Sequence, residues 1–581
     1  MRLRKETLHM KNKILGSTLF TLGLIFALAA ALKPPGIASS QTGTTAALFQ
    51  PAVAEWQFVK SSTTPPTESA CYAAGLRCFA PVAMQNAYNV PALYAKGFTG
   101  KGKTIAVIDS FGSATIANDL NVFSTAFGLP HLCGEAGVTC TPGMPTFTIL
   151  QVQGSPPPNP PPPNNGTGQE SHNLWALEVS LDVEWAHAIA PEANIILVTT
   201  PTAEVLGVQG FPQMMHAVQY MVDNHLADVI SMSLGAGEGT FSGTASLLHL
   251  RKALIDAQTN HVTVLASSGD GGTSNALKVP TKNPNLIPYP SVAWPASDPL
   301  VTAVGGTRLC VDAITGLVVD TTSPPTVCQS FPGVRERGWP FSGGGYSILF
   351  PRPNFQDVLP PGSSYVGSSM GAPGPNSNMR GVPDIAFQAS SGTGPLVYMT
   401  EPATTRSGTE CGGADPCSIG WYVVGGTSCS APQWAGLIAI ADQIAGSDLG
   451  YINPALYQIA ADPAKYAADF FDVTIGNNQT TSIPGYSASI GWDAVTGLGT
   501  PNAANLLPDL VQAASGHLRG HHGQRDNGTG GGESADSLRR GVVRGNRWKL
   551  IIDKPFLKSG AFHLQQIQTI STVKLERRLE F

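Results

Sequence analysis

The 581-residue chain predicts an α/β protein: a mostly parallel sheet with helices on both faces, rich in loops. Three observations lead there. Apolar runs of strand length end at Asp109-Ser110 and recur at 193–199, 227–234 and 262–267. Segments of helical length lie between or beside them, at 172–190, 211–226 and 248–261. Strand and helix thus alternate, and a sheet built that way is parallel and covered on both faces. The third observation is composition. Hydrophobic residues make up 42% and charged residues 13%, with 64 Gly and 47 Pro. Such a chain can bury one large core and still carry many ordered loops.

Taken in order, residues 11–13 (KNK) precede the apolar stretch 14–32, and small residues follow at 36–40. That is the order of a secretory signal, so 1–40 is read as a signal peptide cleaved near Ser40. Met10, directly before the basic pair, is an alternative start. The rival is an uncleaved anchor, since the run approaches the roughly 20 residues that span a bilayer. The small-residue exit favours cleavage, and no other stretch is apolar enough to span. Residues 41–80 are polar and small, a short leader. A globular domain follows over 81–515.

Within it, the glycine-rich turn of 97–109 (GFTGKGKTIAVID) feeds the first strand. Residues 154–164 (GSPPPNPPPPN) cannot join a sheet and are expected to form a surface loop. The helix over 172–190 has Ser171 or Asn173 as cap, and Pro191 stops it. Loops dominate 272–420 and 472–501, and no internal repeat is present. From 516 to 581 the chain is a polar, glycine-rich then basic tail, expected to be flexible or weakly structured.

Net charge of −5 gives no reason to expect a nucleic-acid partner. Eight of the nine cysteines fall into sequence-local pairs, Cys71/Cys78, Cys133/Cys140, Cys310/Cys328 and Cys411/Cys417. Short disulfide-closed loops suit an oxidising compartment, with connectivity left open. None has the CxxC spacing of a zinc site. Cys429 remains, read as a packing residue rather than a regulatory thiol.

The chemistry centres on 423–435, VVGGTSCSAPQWA. It reads as a buried strand, a tight turn and a buried helix, with Ser428 at the helix N-terminus. There, free N–H groups and the helix dipole favour a developing oxyanion. A Gly-Thr-Ser turn can also be merely structural. Glu178 and Asp182 lie four apart, on one face of the 172–190 helix, among Leu177, Val179, Leu181 and Val183. A solvated face is the ordinary explanation for such a pair, but charges are scarce here. Asp270 closes the strand LASSGD, and strand carboxyl ends are where open α/β sheets build sites.

Together these residues resemble the sedolisin family, the serine-carboxyl peptidases, over roughly 81–510. GGTSCSAP at 425–432, ASSGDGG at 266–272 and Glu178-x-x-Leu181-Asp182 with AHAIAP are its most specific motifs here. VGGTRL (304–309), SGGGYS (342–347), GVPDIA (381–386) and INPALY (452–457) are also similar to family signatures. The resemblance implies a subtilisin-like fold and a secreted endopeptidase acting on protein or peptide substrates. No stable membrane association is expected, and a monomer is. Residues 81–515 would be the catalytic domain. Ser428 would be the nucleophile, Glu178 its general base and acid, Asp182 the group orienting Glu178, and Asp270 the oxyanion stabiliser.

The chemistry is coherent. A carboxylate of ordinary pKa about 4.3 stays ionised in acid, where histidine is fully protonated. Asp270 donates a hydrogen bond only when protonated, which low pH and neighbouring carboxylates favour. The resemblance also implies one structural Ca²⁺ near the C-terminal end of the domain. Asp472 and Asp493 would supply carboxylates, and Val473, Ser489 and Gly491 backbone carbonyls, with one water. Ser489 stands where relatives more often have glycine, a tolerable change unless the backbone needs positive φ there. Family members usually carry a long folded propeptide, and 41–80 is too short to be one.

Two rivals are kept. An ordinary subtilisin-type Ser/His/Asp hydrolase would use Asp109, which closes AVID. None of the 12 histidines sits in that family's Gly-Thr-His pattern, and His172, six residues before Glu178, is the candidate from the right helix. In the favoured scheme Asp109 merely ends its strand as a turn or cap residue. The second rival is a non-catalytic exported protein that keeps the fold.

Overall fold

The computed structural model describes residues 55–152, 172–201, 210–241, 244–276, 286–363, 368–369, 378–400 and 418–523. The signal segment, the proline-rich insert, Cys411, Cys417 and the tail from 524 onward lie outside them. Among the described residues no helix is long and apolar enough to cross a membrane.

The strands predicted from the apolar runs form the centre of an eight-stranded sheet. They are β3 (Thr104–Ser110), β5 (Asn194–Thr200), β6 (Val229–Met232) and β7 (Thr263–Ser267). β4 (Phe147–Gln151), β8 (Thr302–Leu309) and β10 (Ile385–Gln388) extend it in parallel, and β9 (Glu336–Gly338) is its antiparallel edge. Along β3, Ile105 and Val107 enter one apolar cluster while Ala106 and Ile108 enter another. Side chains alternate across a strand, so a continuous apolar run fills cores on both faces. This is the mostly parallel, doubly covered sheet expected.

On one face lie α1 (Ile116–Phe127), α2 (His172–Ile189) and α5 (Ser430–Ala445). On the other lie α3 (Phe211–Asp223) and α4 (Lys252–Thr259). The single helix expected over 248–261 is instead two, Thr244–Leu250 and α4, separated at Arg251. There the guanidinium is drawn aside to Asp298 at 2.5 and 2.9 Å. At the crossing of α2 and α5, a β-carbon on Gly436 would lie 2.8 Å from Ile189 Cβ and 3.3 Å from Ala186 O. Gly436→Val is therefore expected to destabilise the fold by roughly 1–3 kcal/mol through overpacking, read by denaturant melting.

The N-terminal boundary falls earlier than the sequence suggests. β1 (Glu55–Lys60), helix Glu68–Ala73 and β2 (Arg77–Phe79) all come from the expected leader, yet they are built into the fold. β1 pairs antiparallel with β12 (Gly420–Gly425), and β2 pairs parallel with β11 (Thr393–Met399). The strands are short edge strands of six and three residues, and the polar stretch 61–70 between them reads as a leader. At the other end, α6 (Ala503–Gly523) continues past the boundary expected at 516.

Three of the sequence-local cysteine pairs are closed as disulfides: Cys71–Cys78, Cys133–Cys140 and Cys310–Cys328. Cys429 is free and buried, its Sγ 3.6 Å from Val424 O, as a packing residue would be.

Candidate active site

Ser428 stands where β12 turns into α5. The strand ends at Gly425, residues Thr427–Cys429 form one tight turn, and the helix starts at Ser430. The serine is fully buried and its hydroxyl has no formed hydrogen bond.

Glu178 and Asp182 project from α2, which packs against α5. Both are fully buried, and neither carboxyl has a formed bond. Burial raises the pKa of Glu178 well above the usual carboxylate range, and the charges of Asp182 and Asp109 add to it. The Ser428 hydroxyl opposes that rise, and Ser233 does the same for Asp182. Both hydroxyls face their carboxyls without meeting bond geometry, so they are approaches rather than bonds. Catalytic contacts often tighten only once substrate is bound.

Asp270 follows β7 and is tied to the turn that carries Ser428. Its Oδ1 accepts from Thr427 N at 2.7 Å and from Thr427 Oγ1 at 2.8 Å. Thr427 Oγ1 in turn accepts from Gly269 N at 3.1 Å. The four predicted residues therefore converge, drawn from α2, the end of β7 and the β12–α5 turn.

Asp109 has different surroundings from those its sequence position suggests. It is no turn or cap residue but a fully buried member of the acid cluster, with neither carboxyl oxygen hydrogen-bonded. Burial pushes its pKa up to about 8. The rule that singled out Asp270, an acid closing a buried strand, applies equally to Asp109. The His172 side chain lies outside the described residues. His187, at the other end of α2, is buried beside Pro130 and His131, and its pKa is lowered to about 4, mainly by burial.

Three buried acids facing one another titrate as a unit. The first proton leaves against burial alone, while the second and third also meet a like charge. Each further ionisation of the cluster is thus harder than the last, and the Ser428 hydroxyl favours charge on Glu178. The same burial has a consequence for stability. Asp119, Asp109 and Asp442 have pKa values raised to about 6, about 8 and about 8, in each case chiefly by burial. An acid raised on folding stabilises the native state below its unfolded pKa and loses that contribution as pH rises through the folded value. Melting temperature is therefore expected to be highest in acid and to fall as pH rises from the ordinary carboxyl value of 3.8 up to about 8, most steeply below about pH 6 where all three acids contribute, as calorimetry across that range would register.

The residues expected around a cation lie together after the short strand Phe470–Phe471. Gly491 N donates to Asp472 Oδ2 at 3.0 Å, while the buried Asp472 Oδ1 has no partner. Asp493 is fully buried, accepting from Ser489 N, Val495 N and Thr496 N at 3.0, 2.8 and 2.9 Å. Ser489 is not among the non-glycine residues with left-handed φ, so serine meets no backbone strain there. Among the described residues no three His, Cys, Asp or Glu side chains converge as a metal group. Two carboxylates with carbonyls would suit only a hard cation.

The profile of Peptidase_S8, the subtilase family, matches residues 165–455, half of the chain. The chain is 30% identical over 453 residues to kumamolisin of Bacillus sp. (strain MN-32), covering 77% of this chain and 66% of that protein. It is 30% identical over 307 residues to sedolisin of Pseudomonas sp. (strain 101), covering 52% and 44%. Tripeptidyl-peptidase 1 of Bos taurus is 29% identical over 357 residues, covering 59% and 53%. The chain thus spans less than two thirds of the length of these relatives. Among solved structures, Pseudomonas sedolisin (serine-carboxyl proteinase), complexed with two molecules of pseudo-iodotyrostatin, superposes with a TM-score of 0.52 at 24% identity. That match covers 74% of this chain and 98% of the other, and shows the fold. The chain belongs to the subtilase family and, by its relatives, to the sedolisin group within it.

Proposed function

We propose that this chain is a secreted serine-type endopeptidase that hydrolyses peptide bonds of proteins or peptides at acidic pH. The observation that carries it is the pair of buried, unbonded carboxyls on α2 beside the buried Ser428 hydroxyl. Kumamolisin, sedolisin and tripeptidyl-peptidase 1 as relatives support the reaction class. The three disulfides support export.

In this scheme Ser428 Oγ attacks the carbonyl carbon of the scissile bond and its proton passes to Glu178. Asp182, with Asp109 behind it, orients and polarises Glu178 for that transfer. Protonated Asp270, anchored through Thr427, donates a hydrogen bond to the oxyanion of the tetrahedral intermediate. That intermediate collapses as the C–N bond breaks and Glu178 returns its proton to the leaving amine. Water then repeats the sequence on the acyl-enzyme, releasing the acid and restoring Ser428. The reading is tested with an active-site-directed peptide aldehyde or acylating inhibitor and mass spectrometry. A single adduct on Ser428 supports it; inhibition with the adduct on another residue, or no adduct with substrate still hydrolysed, refutes it.

We also propose that Asp472 and Asp493, with the carbonyls of Val473, Ser489 and Gly491, hold one structural Ca²⁺. The ion would neutralise the buried Asp493 and the half-buried Asp472 and fix the loops that carry them. Chelation is expected to lower the melting temperature, and calcium, but not magnesium, to restore it. An unchanged melting curve in chelator would remove the ion from the account.

A further inference from the structure

The sheet that delivers the nucleophile is bracketed by the N-terminal segment. Its order is β1-β12-β11-β2, so the β11–β12 hairpin is flanked on both sides by strands from 55–79. β2 is firmly anchored. The Cys71–Cys78 disulfide closes it, and the buried Arg77 guanidinium donates to four backbone carbonyls, of Pro324, Val311, Asp320 and Ser323. β1 is held differently. Trp56 and Phe58 pack edge-on against Tyr422 of β12 at 6.1 and 5.3 Å. The register then runs from Lys60 opposite Trp421 to Glu55 opposite Gly425, at the mouth of the Ser428 turn.

At that end the contacts converge on residues 389–391. Ser391 Oγ donates to Glu55 Oε2 at 2.5 Å. A β-carbon on Gly425 would lie 2.3 Å from Ser391 N, so strand and platform touch backbone to backbone. Gly426 N donates to Ala389 O at 2.7 Å, and Arg308 Nε to Ser390 Oγ at 3.3 Å. The turn carrying Ser428 therefore rests on a three-residue platform, and Glu55 is the group that ties its far end to β1.

We propose that Glu55 is a positioning residue for Ser428, and that β1 is a permanent part of the working enzyme rather than a removable leader. It acts through Ser391 and Gly425 on the direction of the nucleophile, without touching substrate. This rests on Ser428 being the nucleophile. Losing the tie affects acylation more than binding, since small misplacements of a reacting group are costly in rate.

The test uses the full chain and three variants, Glu55→Ala, Glu55→Gln and Ser428→Ala. A fourth form carries a specific protease site in the exposed stretch at Ser61, Thr63 and Thr64 and is cut after folding. A chromogenic peptide gives kcat and KM, circular dichroism gives the melting temperature, and intact mass gives the N-terminus of the active protein. Glu55→Ala is expected to lower kcat by about fivefold to tenfold with KM and melting little changed. Glu55→Gln, which keeps an acceptor oxygen, should recover most of it. Wild-type kcat in Glu55→Ala overturns the proposal, as does a fully active protein that starts beyond Lys60. If the cut form unfolds, the Glu55 variants still decide. An active Ser428→Ala overturns both this inference and the nucleophile assignment. An inactive Ser428→Ala beside a fully active Glu55→Ala overturns this inference alone.

Discussion

Ser428→Ala is expected to reduce kcat for peptide hydrolysis by about 10⁴-fold or more while leaving KM and the melting temperature close to wild type. The loss is large because no other hydroxyl shares its position. Ser430, the next serine, points its hydroxyl at Phe387 O and Gln388 O, both at 3.3 Å. The fold should be indifferent to the change, because the Ser428 hydroxyl forms no hydrogen bond that alanine would break. Residual hydrolysis would come from the oxyanion donors and from substrate binding. Steady-state kinetics on purified protein reads this directly, with circular dichroism as control. A variant retaining a tenth of wild-type kcat would remove Ser428 from the reaction.

Glu178→Gln is expected to be nearly as damaging, lowering kcat by about 10³-fold or more, because the amide is isosteric but cannot take the serine proton. Folding should improve slightly, particularly towards neutral pH. The substitution removes a buried acid that is costly to ionise beside Asp182 and Asp109. A less active, more stable variant is the signature of a group retained for chemistry rather than for packing. If Glu178→Gln keeps its activity and instead loses stability, the carboxyl is structural and the proton goes elsewhere.

Much of this molecule is legible in its residues, for identifiable reasons. The parallel sheet shows because its strands, buried on both faces, are short unbroken apolar runs such as 262–267. Ser428, Glu178, Asp182 and Asp270 show because a charge or hydroxyl stands out in such apolar surroundings. Asp109 does not, although it sits at an equivalent strand end, since only the parallel pairing of β3 between β5 and β6 brings it beneath α2. Glu184 is hidden for a similar reason. It is fully buried on α2 two residues past Asp182, and it accepts from Tyr398 N at 3.0 Å to hold β11. No local pattern announces so distant a partner. β1 is the clearest omission: it is six residues long and only half-buried, and its meaning lies in a pairing 370 positions downstream, Glu55 with Gly425 (425 − 55).

In the proposed mechanism carboxyl groups, not histidine, activate the serine. Its most direct test is hydrolysis of a denatured protein substrate from pH 2 to pH 8, comparing wild type with Ser428→Ala. A rate that peaks at about pH 3 to 5 and vanishes in the variant is expected, since the proposed mechanism needs Glu178 to take up the serine proton and Asp270 to donate a hydrogen bond. A peak at or above neutral pH, where Asp270 would be ionised and histidine an effective base, would contradict it.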